Sequence, residues 1–147
     1  MKRRRTNLNH RSKQLYLFLI LVFGFITFTF AQVTGDYRSR TSGDWDSNTT
    51  WQYYNGTAWV NADSPINYGY PGQNAGTKNV LIRNSHTITL STNVNNSFTS
   101  LTVGDGSGGD ETLEIPGDVF INTRQFNIAS DGNVDWTGNT NHTLSFP

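Results

Sequence analysis

Acidic and amide oxygens placed in glycine-rich turns are the residues of this 147-residue chain best suited to chemistry. Asp44-x-Asp46-x-Asn48 has the spacing that opens a calcium loop, where alternate oxygens face one ion. Position six is Thr49 where an EF-hand needs glycine, and position twelve is Gly56 where it needs glutamate, so an EF-hand is excluded. Gly104-Asp-Gly106-Ser-Gly-Gly109 matches G-x-G-x-x-G by letters. A nucleotide site needs a helix after that loop, so that phosphate meets a helix N-terminus. Here Thr112-Leu-Glu-Ile115 reads as another strand, and nucleotide binding is not expected. The same segment misses the calcium-binding nonapeptide register by one residue and reads as a flexible corner loop. No metal ligand and no cofactor is assigned.

Catalytic residues are equally scarce. His86 and His142 each precede a strand, His10 lies in the basic leader, and no nucleophile–base–acid set stands at a suggestive spacing. Asp118, Asp131, Asp135, Arg124 and Arg83 can line a groove of the kind that polysaccharide-cleaving folds use, but their spacing does not set them apart from solvated charge. No catalytic residue is named, and a non-enzyme is the better fit.

The aromatic residues cluster. Trp45, Trp51, Tyr53, Tyr54, Trp59, Tyr68 and Tyr70 fall within one short stretch. They read either as a hydrophobic cap closing a stack of coils or as a platform on which sugar rings stack. The candidate carbohydrate-binding residues are Tyr54, Trp59 and Trp45. Within the cluster, Trp45 and Trp51 lean toward core, and Tyr54 and Trp59 toward the surface.

The elements that position these residues are short strands. Trp51-Gln-Tyr-Tyr-Asn55-Gly56-Thr-Ala-Trp-Val60 predicts a hairpin over residues 51–60, with Asn-Gly as a two-residue turn. That register pairs Gln52 with Trp59 and Tyr53 with Ala58. One face then carries Trp51, Tyr53, Ala58 and Val60, and the other Gln52, Tyr54, Thr57 and Trp59. Residues 64–76, with Pro65, Gly69, Pro71, Gly72 and Gly76, read as a long loop.

From Val80 onward the chain repeats in three registers. Asn79-Val-Leu-Ile82, Ser100-Leu-Thr-Val103 and Gln125-Phe-Asn-Ile128 form one series. Thr87-Ile-Thr-Leu90, Thr112-Leu-Glu-Ile115 and Asn133-Val-Asp-Trp136 form a second. Val94, Val119-Phe-Ile121 and Thr143-Leu-Ser-Phe146 form a weaker third. Alternation of apolar and polar residues marks strands with one buried face. Three such strands recurring every 21 to 26 residues predict an all-β fold, the start of a right-handed parallel β-helix of about three coils behind an N-terminal aromatic hairpin cap. An antiparallel β-sandwich is the alternative, since its strand spacing is similar.

Composition divides the chain. Residues 1–14 carry six Lys/Arg and no acid; residues 15–30 are apolar but for Gly24, Thr27 and Thr29; Thr29-Phe30-Ala31 places small residues at −3 and −1. This is the pattern of a secretory signal peptide over residues 1–31, cut before Gln32. This 16-residue stretch is shorter than the roughly 20 residues a membrane span needs, so no stable insertion is expected after cleavage. The remaining 116 residues hold five bases against eleven acids, a net of −6, which argues against nucleic acid as a partner. The chain has no cysteine, so disulfides, thiolate metal sites and a lipid-bearing N-terminal cysteine are excluded. The expected organisation is leader 1–31, aromatic cap 32–79 and coils 80–147.

Gly43-Asp-Trp45-Asp-Ser-Asn-Thr-Thr50-Trp51, the Pro/Gly loop, Asn79-Val-Leu-Ile82 and His86-Thr-Ile-Thr-Leu90 resemble the amino-terminal part of large secreted surface proteins of the Bacteroidota. The resemblance spans most of residues 35–115. It implies β-helix-like coils and export of the type IX secretion kind, where a terminal sorting domain attaches the protein to the cell surface. No such domain is visible in this sequence, and the last strand-like segment ends at Phe146-Pro147, which reads as a truncated frame. The expectation is a secreted or cell-surface adhesion module, the N-terminal part of a larger protein. A polysaccharide or surface glycan is the candidate partner, and a carbohydrate-binding or polysaccharide-processing protein is the alternative.

Overall fold

Short apolar alternations, each closed by Gly, Asn or Asp, produce short strands and tight corners. The computed structural model describes residues 31–137 and 144–146. The leader at residues 1–30, His10, His142 and the first residue of the final apolar segment, Thr143, lie outside the described residues.

The strands are β1 (Tyr37–Ser39), β2 (Gly43–Asp44), β3 (Trp51–Tyr54), β4 (Trp59–Asn61), β5 (Asn79–Ile82), β6 (Thr87–Thr89), β7 (Val94–Phe98), β8 (Ser100–Val103), β9 (Glu111–Ile115), β10 (Val119–Thr123), β11 (Phe126–Ile128), β12 (Gly132–Trp136) and β13 (Leu144–Ser145). A 3-10 turn, Asn48–Thr50, precedes β3. The fold is all-β.

Three sheets form, ordered β11-β8-β5-β1-β3-β4, β12-β9-β6-β2 and β13-β10-β7. From β5 onward the chain visits the three sheets in turn, and each strand pairs in parallel with its counterpart from the previous visit. Val80 lies opposite Leu101 and Leu101 opposite Phe126; Ile88 lies opposite Leu113 and Leu113 opposite Val134; Ile121 lies opposite Val94. The pairings in the first two sheets are those that the first two repeat series predict. Among the described residues antiparallel pairing is confined to β1 with β3 and β3 with β4, which is not the pattern of an antiparallel sandwich.

The inward residues stack into one core. Val80, Ile82, Ile88, Leu90, Leu101, Val103, Leu113 and Ile115 are each at most 1% exposed. Truncating such a side chain to alanine costs about 2–5 kcal/mol, because the cavity left behind only partly collapses. Asparagine bridges successive visits on the outside. Asn122 Nδ2 donates to Asn95 O at 3.0 Å, Asn93 Oδ1 accepts from Phe120 N at 2.8 Å, and Ser100 Oγ donates to Asn79 Oδ1 at 2.9 Å. The Asn-rich composition therefore ties together strands that the sequence separates by more than 20 residues.

The aromatic stretch belongs to the same body. Residues 32–147 form one compact unit, and β1 and β2 pair in parallel with β5 and β6. The boundary expected near residue 79 thus separates two compositions within a single core. Only the β3–β4 hairpin departs from the parallel pattern, extending the first sheet beyond β1. In place of a third-sheet strand beside β7, the loop 62–78 lies against it. Asn96 Nδ2 donates to Gly72 O at 3.1 Å and to Gln73 O at 2.9 Å.

Candidate functional site

Two places bring polar or aromatic groups together: the outer face of the hairpin, and one corner between the first and second sheets.

The hairpin register differs from the sequence expectation. Tyr54 pairs with Trp59, Tyr53 with Val60 and Gln52 with Asn61, across a four-residue loop at 55–58. A type I′ turn needs positive φ at both central residues; Gly56 has φ +95°, but Asn55 is not among the residues with positive φ. Instead Asn55 Oδ1 accepts from Thr57 N and Ala58 N, both at 2.9 Å, and Asn55 N donates to Ala58 O at 3.1 Å. This side-chain-supported turn widens the loop. The resulting shift is two residues, so the strand residues Tyr53, Tyr54, Trp59 and Val60 keep their predicted faces, whereas Thr57 and Ala58 pass into the exposed loop.

On the outer face, Tyr54 and Trp59 sit side by side with ring centroids 5.3 Å apart, both half-buried. The Arg38 guanidinium carbon lies 4.3 Å from the Trp59 ring centre, a cation–π contact that covers one face of the indole. Arg38 Nε also donates to Gln52 Oε1 at 2.8 Å, which holds the guanidinium in place.

Trp45, the third candidate for a sugar platform, is instead fully buried. Its indole N–H donates to Pro71 O at 2.9 Å, and its ring meets Trp51 edge to face. It offers no ring face to solvent. Tyr53 stacks on Tyr68 at 4.1 Å and meets Tyr37 edge-on at 5.2 Å. Burial, then the neighbouring Tyr53, pushes the Tyr37 hydroxyl well above the ordinary tyrosine range, and it donates to Tyr68 O. These rings line a cleft of about 110 Å³. Typical small-molecule sites occupy roughly 300–1,000 Å³, so this cleft is small for an organic ligand.

The corner lies where β5, β8 and β11 turn into β6, β9 and β12. Asp105, Glu111 and Asp131 converge there, one carboxylate oxygen of each within 4.8 Å of the others. Glu111 is the first residue of β9 and shares the inward phase of Leu113 and Ile115. It is fully buried. Its Oε1 accepts from Ser85 N at 2.8 Å. Asp131 Oδ1 accepts from Gly106 N at 3.0 Å, and Asp105 Oδ1 accepts from Ser107 N and Ser107 Oγ. A side chain at Gly104, where φ is +98°, would collide with Asp131 Oδ1. The sequence places Asp131 in a corner turn or lining a groove and residues 104–111 in a plain corner loop, with no ligand role for either. The available signal was Glu111 itself, an acid at an apolar phase of the second series.

His86 belongs to the same turn but not to the cluster. Its Nδ1 lies 2.9 Å from Ser39 Oγ, and that hydroxyl is buried, accepting from Arg83 N and donating to Arg83 O. A serine 2% exposed, with its proton and lone pairs engaged, is a structural clamp and not a nucleophile that substrate can reach. Desolvation, then Arg83, holds the imidazole below the ordinary histidine range. Among the described residues no helix is long and apolar enough to cross a membrane.

Scans against protein-family models, curated proteins and solved structures each find no match to this chain.

Proposed function

We propose that this chain is a non-catalytic extracellular module, a right-handed parallel β-helix that serves adhesion or display at the cell surface as the N-terminal part of a larger protein. The observation that carries the reading is the parallel register. Each visit to a sheet places apolar residues over those of the previous visit, as at Val80, Leu101 and Phe126. Stacked coils of this kind build a long lateral surface from a small core, which suits display more than pocket chemistry. The basic-apolar-small pattern of residues 1–31 supports export, and the resemblance to Bacteroidota surface proteins supports a place on the cell surface. Expressing the full chain in a bacterial host and fractionating the cells tests the reading. Processed protein outside the cytoplasm, lost on deleting residues 15–30, supports it. Full-length protein retained in the cytoplasm refutes it.

The second reading, carbohydrate binding, rests on the outer hairpin face. Tyr54 and Trp59 form a pair of adjacent, partly exposed rings flanked by the polar Gln52 and Asn61. Flat aromatic faces with nearby hydrogen-bonding groups are what sugar rings pack on. The partner would be a polysaccharide or cell-surface glycan, and Trp45, being buried, takes no part.

A further inference from the structure

We propose that Asp105, Glu111 and Asp131 form a calcium site that fastens three successive corners of the fold. The corners are stacked. Ser85 lies between β5 and β6, residues 104–110 lie between β8 and β9, and Asp131 lies between β11 and β12. Backbone bonds already connect them: Glu111 N donates to Asp131 O at 2.9 Å, and Gly104 N to Ile82 O at 3.1 Å.

Three carboxylates converging within 4.8 Å repel one another, and among the described residues no lysine, arginine or histidine forms an ion pair with any of them. Each accepts a backbone N–H on one oxygen, with Ser107 Oγ added at Asp105, which leaves much of its accepting capacity unused. Glu111 is 0% exposed, and its Oε2 has no hydrogen-bond partner; Asp131 Oδ2 is likewise buried and unpartnered. Buried charged oxygens are normally paired or coordinate a metal, because leaving them bare forfeits their hydration with no return. An orphan acceptor calls for a donor or a cation, and neither Glu111 Oε2 nor Asp131 Oδ2 has a hydrogen-bond partner among the described residues.

The donor set selects the ion. All three side chains offer oxygen, and the chain has no cysteine, so soft or borderline metals have no preferred ligand here. Calcium takes about six to eight oxygens at roughly 2.3–2.6 Å, so ligands on opposite sides of it stand about 5 Å apart. Convergence within 4.8 Å fits that span. Magnesium demands a tighter, near-ideal octahedron and keeps more of its water, which a flexible glycine loop does not enforce. The loop that carries Asp105 has open space beside two of its glycines. A side chain added at Gly106 or Gly108 would meet nothing within 4 Å, which leaves room for water and for backbone carbonyls to complete the shell.

Thermal unfolding of the full chain in about 10 mM CaCl2, MgCl2 or EDTA tests the site, with Glu111→Gln and Asp105→Asn measured beside the parent. Calcium is expected to raise the parent Tm by about 5 °C or more over EDTA, and magnesium by far less. Calcium titration calorimetry should show affinity weakened at least about tenfold in each variant, since ligand charge sets affinity. Asp105 is exposed, so Asp105→Asn still gives a folded protein to measure if Glu111→Gln does not fold. Equal parent Tm in calcium and EDTA overturns the proposal. So does a calcium response undiminished in Asp105→Asn, or a magnesium response as large as that of calcium.

Discussion

The indole N–H of Trp51 donates to the backbone carbonyl of Trp45 at 2.8 Å, while the two rings meet edge to face with centroids 5.0 Å apart. Both residues are fully buried, and Trp45 passes the chain of contacts on to Pro71 O and Phe98. One pair of tryptophans thus joins the 3-10 turn region, the long loop and the end of β7.

Removing that link should be costly. Trp51→Ala is expected to lower unfolding free energy by about 3–5 kcal/mol through lost burial and the cavity left. Trp51→Phe keeps an aromatic ring but leaves the Trp45 carbonyl without its donor, and should cost about 1–3 kcal/mol. Urea unfolding followed by far-UV circular dichroism measures both, and a Trp51→Phe midpoint equal to that of the parent would show that the hydrogen bond contributes nothing.

Asp36 anchors the first strand region to β5. It is 6% exposed; its Oδ1 accepts from Asn79 N and Asn79 Nδ2, and its Oδ2 accepts from Val33 N. Asp36→Ala strands these donors and should destabilise by about 2–4 kcal/mol, with Asp36→Asn recovering part of the loss. Amide hydrogen exchange should locate the added opening at residues 33–39 and 79.

The outer rings should separate binding from stability. Tyr54 and Trp59 are half-exposed, so the double change Tyr54→Ala and Trp59→Ala should cost less than Trp51→Ala does. If that face takes sugar, the parent is retained on insoluble polysaccharide and the double variant is washed off. Retention unaffected by the double change removes the hairpin face from binding.

His86 sets a pH dependence with a defined sign. Its folded-state affinity for a proton is lowered, first by desolvation and then by Arg83, from the ordinary value of 6.5. Above about pH 6.5 the ring is neutral in both states and the contribution to stability is intact. As pH falls, the unfolded chain takes up the proton first, so stability is lost until pH has passed through the lower folded-state value. His86→Gln should flatten this segment of the curve. Denaturation midpoints at several pH values between about 7.5 and 5 check it, and parallel curves for parent and variant would remove His86 as the source.

Much of the strand plan is legible in the sequence, for a local reason. Alternation at Thr87-Ile-Thr-Leu90 and Thr112-Leu-Glu-Ile115 records which side chains face inward, and recurrence every 21 to 26 residues points to which strands are equivalent. The hairpin faces were legible for the same reason: a two-residue shift leaves side-chain direction unchanged. Its register was not, because the choice between turn types lay in where the Asn55 side chain found its hydrogen bonds. Trp45 shows the same limit. Nothing in residue type separates a tryptophan that stacks on sugar from one that stacks on Trp51.

By itself, then, the sequence determined an all-β chain with an acidic, cysteine-free body and its inward phases, because these follow from composition and side-chain alternation. Only the tertiary structure decided that Asp105, Glu111 and Asp131 meet, that Trp45 is sealed beneath the long loop, and that Ser39 is too enclosed to react with a substrate. Asp131 follows Asp105 and Glu111 by one circuit of the sheets, and Ser39 and Trp45 precede them. Their distances are set by how one layer settles on the next, and spacing along the chain does not record that.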